Sequence, residues 1–262
     1  MLYPLLWLIA ASFKPGDEIF STNILSLDSL LHPTWITSNY TDGWNGLDYP
    51  FLVFFLNSFI VCLGAVIGNL IACSMAAFAF ARLNFKFKGL WFALMLGTIM
   101  LPTNAVIVPQ YVLFKSLDWV NTFLPLIVPK FLATDAFFIF LMVQFIRAIP
   151  RDLDEAAILD GCNLWQRYTR IIMPLTMPAL VTTAIFTFIW TYNEFFNQLI
   201  FLNDLSIATV PIALRAFQDS TSTSSFGPLF AMSVLALIPI FGFFIAFQRL
   251  LIEGISTSGL KG

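Results

Sequence analysis

Residues 50–81 carry no charged side chain, and this run constrains the chain more than any other feature. A helix rises about 1.5 Å per residue, so a run of that length is long enough to cross the roughly 30 Å hydrocarbon layer of a bilayer. It closes on Arg82, Lys86 and Lys88, basic residues of the kind that mark the cytoplasmic end of a span. Composition extends the argument to the whole chain. With 59% hydrophobic residues, 11% charged residues, 30 Phe and a mean hydropathy of +0.85, the chain carries more apolar surface than one water-soluble core of this size encloses. An all-α integral membrane protein is the expected fold class.

Further apolar runs at residues 90–114, 123–146, 179–201 and 226–247 read as spans. Pro102 and Pro109 are expected to mark a kink and an exit in the first of these, and Pro125 and Pro129 to bend the second early. Residues 1–13 are apolar but shorter than the roughly 20 residues a helical span requires, and read as part of a first helix. With that part counted, six transmembrane helices are expected. The loop at 14–49 holds Asp17, Glu18, Asp28, Asp42 and Asp48 with Trp35, Tyr40 and Trp44, and reads as extracytoplasmic and interfacial. His32, the sole histidine, is expected to be plain surface there. A second polar loop at 202–225 ends in an unbroken serine and threonine run from Ser220 to Ser225.

Basic residues near the span ends set the orientation. Arg82, Lys86, Lys88, Arg147, Arg151, Arg167, Arg170, Arg249 and Lys261 fall on one side, and Lys14, Lys115 and Arg215 on the other. The richer side is cytoplasmic by the positive-inside rule, which puts residues 147–178 in the cytoplasm, between spans four and five. A net charge of -2 without a basic cluster leaves no footprint for nucleic acid. Cys62 and Cys73 lie in an apolar run and Cys162 in the polar segment, so no external disulfide framework is expected.

That polar segment has the marks of two short helices joined by a tight turn. Asp152 with Glu155 three residues on has capping-box spacing, and the acids Asp152, Asp154 and Glu155 suit the positive end of a helix dipole. Glu155, Ala156, Ala157, Ile158, Leu159 and Asp160 lead to Gly161, which fits the left-handed residue that ends a helix. Asn163 with Gln166 gives a second start, and Leu164, Tyr168, Ile171 and Ile172 are expected on one face before Pro174 and Pro178 interrupt.

The spacing Glu155, Ala156, Ala157, Gly161, Ile171, Pro174 resembles the EAA signature of binding-protein-dependent ABC importer permeases, with Met173 where the family usually has Leu, a mild exchange of similar volume. The likeness covers nearly the whole chain. Asn57 with Ser58, Arg82 followed by Phe87, Lys88 and Gly89, then Pro102, Pro109, Asn121 and Thr122 are similar to the sugar-importing, maltose-type branch. So is the ending Phe247, Gln248, Arg249, Glu253, Gly254, Lys261, Gly262. Residues 3–15 resemble the exit of the family's first helix, which implies a chain shortened at its amino end. Tyr192 and Gln198 stand where the family tends to have Trp and Pro.

The resemblance implies one permease domain over residues 1–262, multi-pass in a bacterial inner membrane, with residues 147–178 as a cytoplasmic coupling loop. It implies a second homologous permease, two ATPase subunits that bind ATP and Mg, an extracytoplasmic solute-binding protein, and lipid around the spans. Glu155, Ala156, Ala157, Asp160, Gly161, Ile171 and Pro174 would meet the ATPase. The chain itself would carry no cofactor and no catalytic residue, in keeping with a sequence in which Gly is nowhere followed by Lys, as a phosphate-binding loop requires. Non-sugar solutes such as glycerol phosphate or a polyamine remain the alternative cargo. A membrane-embedded enzyme is the rival class, but one His and no paired acidic motif within a span argue against it.

Ionisable groups inside spans cost about 3 kcal/mol even on the lenient insertion scale, so Lys130, Asp135 and Glu194 need a reason to be there. Lys130 and Asp135, five apart, do not share a helical face, and Lys130 is expected to reach toward the outer interface. Asp135 reads equally as a packing group or a pore lining. Tyr192, Asn193, Glu194, Asn197 and Gln198 form a polar patch open to two readings, the translocation pathway or hydrogen bonding between helices. The many Phe side chains read as lipid-facing or packing surface.

Overall fold

The charge-free run at 50–81 folds as a single 32-residue helix, Phe51–Arg82, in the computed structural model of the chain, which describes residues 2–20, 35–219 and 226–259 and leaves out the side chains of 103, 104 and 250–259. His32, Asp28, the run from Ser220 to Ser225, and Lys261 with Gly262 lie outside the described residues, as do the side chains of Glu253 and of the residues around it. Helices and turns account for the described residues, with no strand among them. In chain order they are α1 (Tyr3–Ala11), α2 (Ser38–Asn45), α3 (Phe51–Arg82), α4 (Lys88–Thr98), α5 (Thr103–Ser116), α6 (Leu124–Ile127) and α7 (Ala136–Ala148). There follow α8 (Asp152–Leu159), α9 (Leu164–Gln166), α10 (Met173–Leu175), α11 (Met177–Asn193), α12 (Phe196–Phe201), α13 (Val210–Asp219) and α14 (Phe226–Gly259).

Among the described residues three helices qualify as spans by length and apolarity: α3, the stretch Leu124–Ala148, and Phe226–Arg249. The pair Leu164–Leu175 and Met177–Asn193, bent by 77°, makes a fourth if taken as one. The expected span at 90–114 is instead two helices, α4 and α5, separated at residues 99–102. Pro102 has no N–H to continue the ladder and holds an extended ψ of 128°, so it ends one helix and opens the next rather than bending a single one. Pro109 lies inside α5 and is not an exit. Residues 1–13 contribute the nine-residue α1. The apolar side chains Leu52, Leu56, Ile60, Leu63, Ile67 and Ile71 of α3 recur every three or four residues and are all about half exposed. A stripe of that kind belongs against lipid or another protein, not water.

Two compact units divide the chain, Met1–Ile60 with Tyr192–Gly242, and Val61–Thr191 with Phe243–Gly262. In the first, Asn39 of α2 donates its amide to the carbonyls of Ser12 (3.0 Å) and Lys14 (2.9 Å), and the Ser12 and Tyr40 hydroxyls are paired at 2.9 Å. Trp7, Phe226 and Phe230 pack around the buried Ala11 and Ile19. Asn57 donates to the carbonyls of Ser206 (3.0 Å) and Ala208 (2.8 Å), and the Ser58 hydroxyl accepts the Val210 N–H at 2.9 Å. The Asn57 and Ser58 pair therefore has a structural duty: it satisfies a turn that leads into α13.

In the second unit Cys73, Ala77, Phe138, Met142, Val143, Ile146, Tyr168 and Ile172 form a closed core. Gly64 and Gly68, one turn apart on α3, admit the 124–132 segment: a Cβ at Gly64 would meet Ile127 at 2.9 Å, and one at Gly68 would meet the Lys130 backbone at 3.0 Å and Phe131 at 2.8 Å. Small residues at this spacing let helices approach closely where no hydrophobic drive between helices operates.

Candidate functional site

Residues 152–175 form the two-helix element expected from the sequence. Its turn closes by two hydrogen bonds, Gly161 N–H to the Ile158 carbonyl (3.0 Å) and Cys162 N–H to the Ala157 carbonyl (2.9 Å), with Gly161 at φ +78°. This pattern satisfies carbonyls that the end of α8 would leave orphaned, and it needs the left-handed residue that glycine supplies. α9 opens with a complete capping box: the Asn163 side chain accepts the Gln166 N–H and the Gln166 side chain accepts the Asn163 N–H, both at 2.9 Å.

The start of α8 differs from expectation. Asp152 caps nothing; Arg151 is the capping residue, and its carbonyl takes the N–H groups of Asp154 (2.8 Å) and Glu155 (3.1 Å), closing the first turn one residue earlier. The acids remain in the first turn, where the helix dipole favours them. The expected apolar face is also only partly realised. Tyr168 and Ile172 are buried and Ile171 packs at the core's edge, but Leu164 is 51% exposed. Arg167–Ile172 is wound as a π-helix, and Pro174 and Pro178 remove donors that a regular ladder would use, so the residues after Gln166 rotate away from the α-helical register.

Of the signature residues, Ala157 is buried, Ile171 is half-buried, and Glu155, Ala156, Asp160, Gly161 and Pro174 are exposed. Around them stand exposed apolar side chains, with Leu159 at 88% and Trp165 at 60%. The hairpin thus offers an outward face of mixed acidic and apolar character on a buried base.

That base contains a group the sequence reading assigned only to the dipole. Asp154 is buried; its Oδ2 lies 3.1 Å from Arg82 Nε and its Oδ1 accepts from Arg167 Nη2 at 2.9 Å and Nε at 3.3 Å. Arg82 Nη2 also donates to the Ile149 carbonyl at 2.7 Å, and the Tyr168 hydroxyl meets that of Ser74 at 2.7 Å. Spacing could not reveal this, because Arg82 and Asp154 are far apart in the chain.

Of the in-span ionisable groups, Lys130 and Glu194 depart from expectation, while Asp135 bonds between helices, one of the two readings open to it. Lys130 and Asp135 do pair, Nζ to Oδ2 at 2.8 Å, because the intervening chain is a 3-10 turn (Val128–Leu132) followed by Ala133 at φ 56°, not a regular helix. Asn69 donates to the same Asp135 oxygen at 2.6 Å and to the Thr187 hydroxyl at 3.1 Å, so Asp135 is the centre of a polar link between helices. Asn69 is a polar residue amid the charge-free run, but nothing local in the sequence pairs it with Asp135.

Glu194 does not sit within a helix: α11 stops at Asn193, and both carboxylate oxygens of Glu194 accept the Asn197 N–H at 3.1 Å, fixing the start of α12. Tyr192 is buried, Asn193 exposed and Asn197 half-buried. These four share the first compact unit, whereas Asp135 belongs to the second. Among the described residues no cluster of three or more His, Cys, Asp or Glu could hold a metal ion.

Residues 64–257 match the family described as binding-protein-dependent transport system inner membrane component. A Bacillus subtilis protein named "Probable ABC transporter permease protein YurM" is 35% identical over 99% of this chain and 84% of its own length. The trehalose/maltose transport system permease protein MalG of Thermococcus litoralis is 30% identical over 100% of this chain and 92% of its own. Among solved structures, a bacterial ABC transporter involved in the import of the acidic polysaccharide alginate aligns with a TM-score of 0.81 and 21% identity, covering 95% of this chain and 90% of that one, which is a likeness of fold. With three quarters of its length matched to the family and both relatives aligned over 99% or more of it, the chain belongs to the binding-protein-dependent transport system inner membrane components, the permease subunits of ABC transporters.

Proposed function

We propose that this chain is the membrane-spanning permease of an ATP-driven importer that moves a sugar or oligosaccharide handed over by an extracytoplasmic binding protein. The observation that carries the cargo class is the end-to-end likeness to a permease named for trehalose and maltose transport. In this reading a second, related permease completes the pathway, and two ATPase subunits bind ATP and Mg. They dock on the cytoplasmic hairpin through Glu155, Ala156, Asp160, Gly161 and Pro174, with Ala157 and Ile171 seating the hairpin on its base. Support for a docking role comes from the outward apolar side chains Leu159 and Trp165, which have no reason to face water. In this reading Tyr192, Asn193, Glu194 and Asn197 of the first unit, and independently Asp135 of the second, are the polar residues assigned to the pathway.

The test is to purify the binding protein encoded beside this chain, measure calorimetrically which solute it holds, and follow uptake of that solute into liposomes carrying the complete complex. ATP-dependent uptake of a sugar that needs the binding protein is the expected result. Uptake of a polyamine or glycerol phosphate instead would overturn the cargo assignment while leaving the family intact.

A further inference from the structure

The hairpin and the cytoplasmic end of α3 are distant in sequence, so any mechanical connection between them is non-covalent. At Asp154 that connection is a buried ion pair with Arg82. Arg167, the first residue of the π-helix after α9, donates to Oδ1 through both Nη2 and Nε, whereas Arg82, the last residue of α3, faces Oδ2 as an ion pair at 3.1 Å without an aligned hydrogen bond. All three side chains are nearly buried, at 3%, 9% and 12% exposure for Arg82, Asp154 and Arg167. Arg82 extends the grip to the Ile149 carbonyl, just ahead of the hairpin.

A buried ion network is a poor source of net stability, because desolvation offsets most of the Coulomb gain, and apolar side chains of similar volume would hold the parts together as well. What the arginines supply is direction: the Arg167 fork fixes the angle of the Asp154 carboxylate, and the Arg82 bond to the Ile149 carbonyl sets the guanidinium whose Nε pairs with that carboxylate. A greasy contact would let the hairpin pivot on α3, whereas a charge pair aimed at a fixed carboxylate, together with the Arg82 bond to Ile149, opposes the pivot. We propose that Asp154 is a positioning residue, the joint that makes the hairpin and the end of α3 move as one body, so that a displacement imposed on the hairpin reaches the span instead of being lost at the turn. The inference rests on the hairpin being the ATPase-facing element.

Two measurements test it, one of which needs no transport. Spin labels on Lys86→Cys and Arg170→Cys, in a Cys162→Ser background of the full complex, report the distance between the end of α3 and the hairpin. With Asp154 intact the distance distribution is expected to be narrow; Asp154→Asn, which is isosteric, is expected to broaden it, and Asp154→Glu to narrow it again. An unchanged distribution in Asp154→Asn overturns the joint whatever the cargo proves to be. In liposomes, solute moved per ATP hydrolysed is expected to fall at least about fivefold in Asp154→Asn, the low end of ordinary coupling effects, while the ATPase remains bound. A native ratio there also overturns it. Should Asp154→Asn not assemble, Arg82→Lys keeps the charge at the end of α3 and loses the planar guanidinium, and a native ratio together with a narrow distribution in that variant overturns the proposal. Failure of the native complex to show any solute-stimulated hydrolysis would instead count against the importer reading.

Discussion

At the level of single residues, Gly161 and Glu194 separate backbone duty from chemistry. Gly161 has φ +78° and nothing within 4 Å of where a Cβ would stand, so a substitution there meets no clash and costs only the left-handed backbone, about 1 to 2 kcal/mol. Asn visits that region more readily than other side chains, and β-branched residues least. The expected order of solute-stimulated ATP hydrolysis in the assembled complex is Gly161→Asn, then Gly161→Ala, then Gly161→Val, with the last nearly uncoupled yet normally inserted. Native hydrolysis in Gly161→Val would show that the turn does not transmit. For Glu194 the carboxylate accepts the Asn197 amide, a task that Gln performs and Ala does not. Glu194→Ala is expected to lower stability by about 1 kcal/mol, the usual worth of a lost cap, as read from detergent melting. Glu194→Gln is expected to assemble normally, so a drop in its uptake per assembled complex isolates a role in the pathway.

At the level of elements, the two α3 glycines that admit the 124–132 segment make a prediction that contrasts sites on neighbouring helices. Gly68→Ala pushes a methyl against the Lys130 backbone and Phe131, and overpacking of that kind costs about 1 to 3 kcal/mol. Gly97→Ala in α4 meets nothing within 4 Å and gains helix propensity of up to about 1 kcal/mol. The melting temperature of the purified chain should therefore fall for Gly68→Ala and hold or rise for Gly97→Ala; equal shifts would deny the close approach. The same elements mark how far the sequence could be read. The hairpin was legible because its signals are local: the Asn163 and Gln166 box and the Gly161 cap depend on offsets of a few residues. The division of 90–114 into α4 and α5 was half legible, since Pro102 announced a break but not whether the helix would bend or end there. The Asp154 joint and the Asp135 link were not legible, since each depends on partners from a distant stretch of chain, Arg82 for one and Asn69 for the other. Five-residue spacing misled for Lys130 and Asp135 because it presumed a helix where the chain makes a 3-10 turn.

At the level of the whole molecule, orientation in the membrane is the property on which the functional reading depends most, and it is open to direct measurement. The basic residues near the span ends divide nine to three, and the nine include Arg82, Arg147 and Arg151 ahead of the hairpin and Arg167 and Arg170 within it. Lysine and arginine near span ends resist transfer across the membrane, whether or not an acid neutralises them in the folded chain, so the pairing of Arg82 and Arg167 with Asp154 does not weaken the count. The hairpin, Asn84 and the loop at 83–87 should then face the cytoplasm, and α2 the opposite side. Single cysteines at the exposed positions Asn84, Arg170 and Asn45, in a background with Cys162→Ser and with Cys62 and Cys73 left in place because they are buried, can be challenged in intact cells with a membrane-impermeant maleimide. Asn45→Cys is expected to react, while Asn84→Cys and Arg170→Cys react only after the cells are opened. If Arg170→Cys were labelled in intact cells, the hairpin would face away from every source of ATP, and both its role as the ATPase dock and the Asp154 joint as a relay for hydrolysis would fall together.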